Sequence, residues 1–163
     1  MAAEIRSNID KIVNNILAAA AKAGRDAKDI KLMAVTKTVT DARIGEALEA
    51  GIMILGENYV QEAARKKPLL EQTGSPVEWH MIGHLQTRKA ALAVQLFDMI
   101  HSLDRVELAS ELNKRAKAVN RIMKVLIEVN TGEEATKGGI PPAKTLEFAK
   151  IVAQMENLSL QGL

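Results

Sequence analysis

Six short apolar runs, each separated from the next by a segment with helical spacing, constrain the fold of this 163-residue chain more than any other feature. The runs are Ile30–Lys37, Ile52–Leu55, Val77–Ile82, Asp98–Leu103, Lys124–Asn130 and Leu158–Leu163. Strict alternation of strand and helix, at roughly 20 to 35 residues per repeat, requires a parallel sheet covered by helices. Two architectures meet that requirement. An open doubly wound sheet is complete with six strands, whereas a closed β/α barrel needs eight and about 250 residues. The sequence stops inside its last apolar run, so the expectation is an α/β fold of the (β/α)8 TIM-barrel type, truncated to about six β/α units. One domain over residues 1–163, incomplete at its C-terminus, is expected.

The segments between the runs carry their own signals. Glu4 to Lys22 places Ile5, Ile9, Ile12, Val13, Ile16, Leu17 and Ala20 on one helical stripe, expected to be buried, and Gly24 ends it. Thr40 or Asp41 caps a helix that Gly51 terminates. Gly56-Glu57-Asn58 reads as a turn, with Asn58 and Gln61 at the spacing of a capping box, and Pro68 is expected to stop the helix that follows. Gln72–Pro76 reads as a loop. Thr87–Leu96 is a helix, and Asp104 with Glu107 forms a second capping-box pattern. After the polar loop Thr131–Ile140, Pro141-Pro142 opens a helix reaching about Glu156.

Composition narrows the function classes. With 47% apolar residues but only 2% aromatic, the core must be aliphatic, which favours helices packed on strands over an all-β sandwich. A net charge of +2 gives no field that argues for nucleic acid, and the basic cluster Arg65–Lys67 reads as the solvated end of a helix. The absence of cysteine excludes disulfides, thiolate catalysis and cysteine-ligated metal. No apolar run approaches a membrane span, and the first residues are too polar for a secretory signal, so a cytoplasmic location with no membrane partner is expected.

In parallel β/α folds the carboxyl ends of the strands line the ligand site. Those positions here are Lys37, Glu57 and Asn58, His80 with Gly83 and His84, His101 and Asp104, then Glu128 and Asn130. Lys37 closes the run IKLMAVTK. With Met33 and Val35 on one face, a period of two puts Lys37 there too, a half-desolvated amine usable as a nucleophile towards carbonyls. The dull reading is equally physical, since lysines at strand ends are commonly solvated punctuation. His80 and His84 on a strand would lie about 13 Å apart, too far for one metal. No P-loop or dinucleotide fingerprint is present, and Gly138-Gly139 reads as a turn.

Five motifs, AVTKT (Ala34–Thr38), GENYVQE (Gly56–Glu62), WHMIGHLQTRK (Trp79–Lys89), HSLDR (His101–Arg105) and IEVNTGEEATKGGI (Ile127–Ile140), resemble in order the YggS/PROSC family of pyridoxal phosphate homeostasis proteins. The resemblance implies a fold-type III barrel, like the N-terminal domain of alanine racemase, that holds pyridoxal 5′-phosphate as a Schiff base. It places Lys37 at the family's Schiff-base lysine, Asn58 and His80 at the cofactor pocket, and Lys137 at the lysine of an S-K-x-G segment. It further implies a carrier and buffer of the cofactor with no established reaction, serving apo pyridoxal phosphate enzymes and monomeric at full length. The family's phosphate-gripping residues follow the last residue here. Weak cofactor binding or none is therefore expected unless another copy covers the open side of the sheet, and an open barrel edge would promote such association. The rival readings are a Schiff-base-forming barrel enzyme, aldolase- or racemase-like, with Glu57, His80 or Glu128 moving protons, and a fragment that only assembles.

Overall fold

The computed structural model describes residues 2–71, 74, 76–132, 134 and 136–163. Part of the loop expected over Gln72–Pro76, and Glu133 and Ala135 of the Thr131–Ile140 loop, lie outside the described residues. The chain resolves into two compact units, residues 1–56 with 65–78 and residues 57–64 with 79–163.

The first unit begins with α1 (Ala2–Lys22), ended by Gly24 at φ 66° as its sequence required. Strand β1 (Met33–Val35) pairs in parallel with β2 (Ile54–Glu57), with α2 (Asp41–Glu49) between them. Ile44 and Leu48 of α2 are buried, and Gly51 at φ 101° lets the chain leave the helix. Strand β1 is shorter than the apolar run suggests. After Val35 the chain forms one more ladder bond, Thr36 N–H to Gly56 O at 3.0 Å, then turns. The same ladder keeps Gly56 and Glu57 in β2, correcting the turn expected there. The stripe of α1 is corrected too: Ala20 is buried, but Ile12, Val13 and Leu17 are exposed, because α1 has only α2 and the short turn at Ala27–Asp29 as substantial neighbours in this unit.

Helix α3 (Val60–Glu71) runs through Pro68, which was expected to stop it. Proline forgoes one hydrogen bond near the helix end, and burial of Leu70 holds the last turn against that loss.

The second unit contains β3 (Glu78–Met81), α4 (Ala90–Leu96), β4 (Met99–Leu103), α5 (Val106–Ala118), β5 (Met123–Ile127), α6 (Pro142–Ala153) and β6 (Leu158–Gly162). Strands β3 to β6 pair in parallel in chain order. Strand residues Ile100, Met123, Val125 and Ile127 and helix residues Leu108, Leu112, Ala116 and Val152 are all at most 1% exposed. Neither capping box forms. Tyr59 and Arg105 stand before α3 and α5, and Asp104 turns instead to Arg105 and His84. Among the described residues no helix is long and apolar enough to cross a membrane.

Candidate functional site

In the first unit the candidate residue is Lys37. It sits with Thr38 at the centre of a tight turn closed by Val39 N–H to Thr36 O at 3.1 Å. Thr38 adopts φ 62°, a left-handed conformation that is uncommon for a β-branched residue and marks local strain. Lys37 is exposed, as is Val35 at 47%, so the amine stands on a turn and not against the closed apolar wall expected of a strand end.

The turn is held from beneath by a residue whose role the sequence reading missed. Lys66 is 1% exposed, and its Nζ donates to Thr36 O at 2.7 Å. The expected solvated cluster Arg65–Lys67 is thus split. Arg65 reaches the Asp41 carboxylate with two bonds of 2.8 and 3.0 Å, while Lys66 points inward. The signal was available: Val60, Ala63, Lys66 and Leu70 fall on one helical face, and all are buried. The hydrogen bond from Arg65 pulls the Asp41 carboxyl below its usual value, with burial opposing.

In the second unit the strand ends come together. Ile82 N–H donates to Glu57 O at 3.0 Å, and Glu128 N–H to Leu103 O at 3.0 Å, so the residues following these strands share one edge. Gly83 is required there: a Cβ at this position would lie 2.4 Å from Asn58 O. That close approach seats Asn58 beside the β3 end, half-buried, with an Oδ1 that finds no hydrogen-bond partner among the described residues. Asn58, His84, Gln86 and Lys89 line a cavity of about 250 Å³ with Tyr59, Val60 and Met81.

His80, 6% exposed, meets His101 through Nδ1 and Nε2 at 2.9 Å. Such a contact needs one N–H and one lone pair, so the facing atoms hold a single proton between them. Burial, then the neighbouring His80, push the His101 pKa below its usual 6.5. His84 does not join this pair and instead lies 3.5 Å from Asp104. Glu128 has its pKa raised above 4.5 by burial and by Asp104, against the lowering effect of His84. Asn130 donates to Glu134 O at 3.0 Å and braces the following loop, and Lys137 pairs with Glu134 at 2.6 Å. Among the described residues no group of three or more histidines and carboxylates could hold a metal.

Parallel strands with covering helices, and polar side chains collected at the carboxyl ends of the second unit's strands, define a β/α protein, a class in which that edge is where small molecules bind. The chain belongs to the alanine racemase N-terminal domain family, whose profile matches residues 7–163, and within it to the YggS/PROSC group. It is 39% identical over 161 residues to the pyridoxal phosphate homeostasis protein of Escherichia coli K12, covering 98% of this chain and 69% of that protein. The protein of the same name from Vibrio alginolyticus is 37% identical with the same coverage. Among solved structures, an unknown protein from Bifidobacterium adolescentis superposes with a TM-score of 0.92 at 33% identity, over 99% of this chain and 69% of that one. PipY of Synechococcus elongatus, solved with PLP bound, gives 0.77 at 32% identity over 93% and 68%. Alanine racemase of Clostridium difficile, at 18% identity and a TM-score of 0.72 over 97% and 38%, shows the fold alone. That fold is the β/α-barrel type, here with six strands and six α-helices among the described residues.

Proposed function

We propose that this chain binds pyridoxal 5′-phosphate as a carrier and buffer of the cofactor, capturing it covalently at Lys37. The observation that carries the reading is the solvent-facing primary amine on a strained turn at a strand's carboxyl end, in a chain 32% identical to a protein solved with PLP bound. The residues fit the group chemically. Lys37 offers an amine, and Asn58 keeps a buried amide oxygen with no partner among the described residues. When bound, the cofactor supplies an aldehyde. Lys37 would be the residue that holds the cofactor covalently, its amine condensing with that aldehyde at the cost of one water. Asn58 and His80, the latter buried, are the further residues that would hold the cofactor.

Homeostasis, not turnover, is the role proposed, in keeping with the name carried by the relatives. The recipients are apo pyridoxal phosphate enzymes, the compartment is the cytoplasm, and residues 1–163 act as one domain. Titration with pyridoxal phosphate followed by borohydride reduction and peptide mass analysis should place the label on Lys37 and lose it in Lys37→Met. A keto acid or sugar trapped in its place would identify an aldolase-like enzyme, and trapping of neither would leave a chain that only assembles.

A further inference from the structure

Lys66 is the one buried lysine among the described residues, and covalent capture at Lys37 makes no direct use of it. Packing alone does not call for an ammonium there. An apolar side chain would complete the stripe of Val60, Ala63 and Leu70 without the cost of taking a charge out of water. The carbonyl it meets belongs to the residue before Lys37. Thr36 O accepts from Lys66 Nζ at 2.7 Å and from Val39 N–H at 3.1 Å, while Thr36 N–H is committed to Gly56 O at 3.0 Å. The carbonyl of the peptide that leads into Lys37 therefore accepts two bonds, one of them charge-assisted and stronger than a neutral one, and the preceding peptide is tied to β2. Thr38 supplies the opposing force, since its left-handed φ of 62° favours relaxation of the turn.

We propose that Lys66 is a positioning residue for Lys37: its buried ammonium locks the Thr36 carbonyl and so holds the strained Thr36–Val39 turn in the conformation that presents the reactive amine. The inference rests on the reading that Lys37 captures an aldehyde. A freely turning backbone would spread the amine over many directions, and condensation falls steeply once the reacting atoms leave attack geometry.

The test uses the 163-residue chain with Lys66→Met, which keeps the stem and removes the charge, and Lys66→Arg, which keeps the charge. Two readouts separate positioning from general stability. The first is amide exchange of Val39, which shares the Thr36 carbonyl, against Ile44, which bonds Thr40 O on α2. Lys66→Met should speed Val39 exchange at least ~10-fold and leave Ile44 unchanged. The second is the rate of borohydride trapping of pyridoxal phosphate at Lys37 relative to Lys31, whose side chain is 69% exposed. That ratio should fall about 10-fold in Lys66→Met and recover at least in part in Lys66→Arg. Unchanged Val39 exchange and an unchanged ratio in a folded Lys66→Met protein would overturn the proposal. Should Lys66→Met fail to fold, a through-hydrogen-bond coupling between Lys66 Nζ and the Thr36 carbonyl carbon in labelled wild-type protein decides, its absence counting against the proposal. Failure of the wild-type chain to trap any label at Lys37 would defeat the functional reading instead, and Val39 exchange would still judge the clamp.

Discussion

Helices α1 and α5 carry the same kind of apolar stripe, yet the structure treats them differently. In α5, Leu108, Ala109, Leu112 and Ala116 are each 0% exposed, packed on β5 and between α4 and α6. In α1, Ile12, Val13 and Leu17 are 44, 40 and 50% exposed, and Ala20 alone is buried among the residues whose side chains are described. Periodicity states which face of a helix is apolar. It does not state that a partner lies opposite, and only the partner converts the stripe into stability.

Truncation at the two stripes should separate them most. Leu112→Ala should cost about 3 kcal/mol, transfer and cavity together, whereas Leu17→Ala should stay within about 0.5 kcal/mol. Urea unfolding followed by Trp79, the only tryptophan and fully buried, reads both. Equal losses would erase the distinction. Gly83→Ala comes next, at about 2 kcal/mol, because the added carbon strikes the Asn58 backbone and not a movable side chain.

Protonation offers a finer probe of the α5 unit. The His101 pKa is lowered from 6.5, so the unfolded chain takes up the proton first and stability falls as pH drops through 6.5 towards the folded value. His101→Gln should flatten that loss between about pH 7.5 and about pH 5.5 in urea titrations. Glu128 works in reverse. Its pKa is raised from 4.5, so the folded state keeps the proton longer and stability is lost as pH rises through the folded value. Glu128→Gln should therefore gain most over wild type at neutral pH and above, with the gain vanishing near about pH 4.

The smallest effect belongs to the α1 unit. Asp41 and Arg65 form a two-pronged but solvent-screened pair, so a double-mutant cycle with Asp41→Asn and Arg65→Gln should give about 0.5 kcal/mol at low salt. Because the Asp41 pKa is lowered from 3.8, that contribution is present above 3.8 and lost as pH falls through the folded value.

The sequence made the architecture legible because period and punctuation agree along most of its length. Runs such as Asp98–Leu103 and Leu158–Leu163 became β4 and β6 within a residue, and Pro142 opened α6 as prolines do. What misled were local signals overruled by neighbours. Pro68 could not end α3 while Leu70 was buried beyond it, and Gly56-Glu57 could not turn while the ladder to Thr36 continued. Asn58 and Asp104 looked like caps, but each lies at a strand edge where Gly83, His84 and Arg105 set its surroundings. Lys37, Asn58 and His80 were visible as strand-end residues. Lys66 was not, because three adjacent cations read as one solvated patch until helical phase divides them.

Position 38 carries a lesson for anyone wishing to make this protein hardier. A screen for thermal tolerance would be drawn to Thr38→Gly, since glycine occupies φ 62° without the crowding that threonine suffers. The substitution relieves the crowding and also frees the backbone to swing, so a sturdier scaffold and slower reaction of the amine proposed for capture would arrive in a single change.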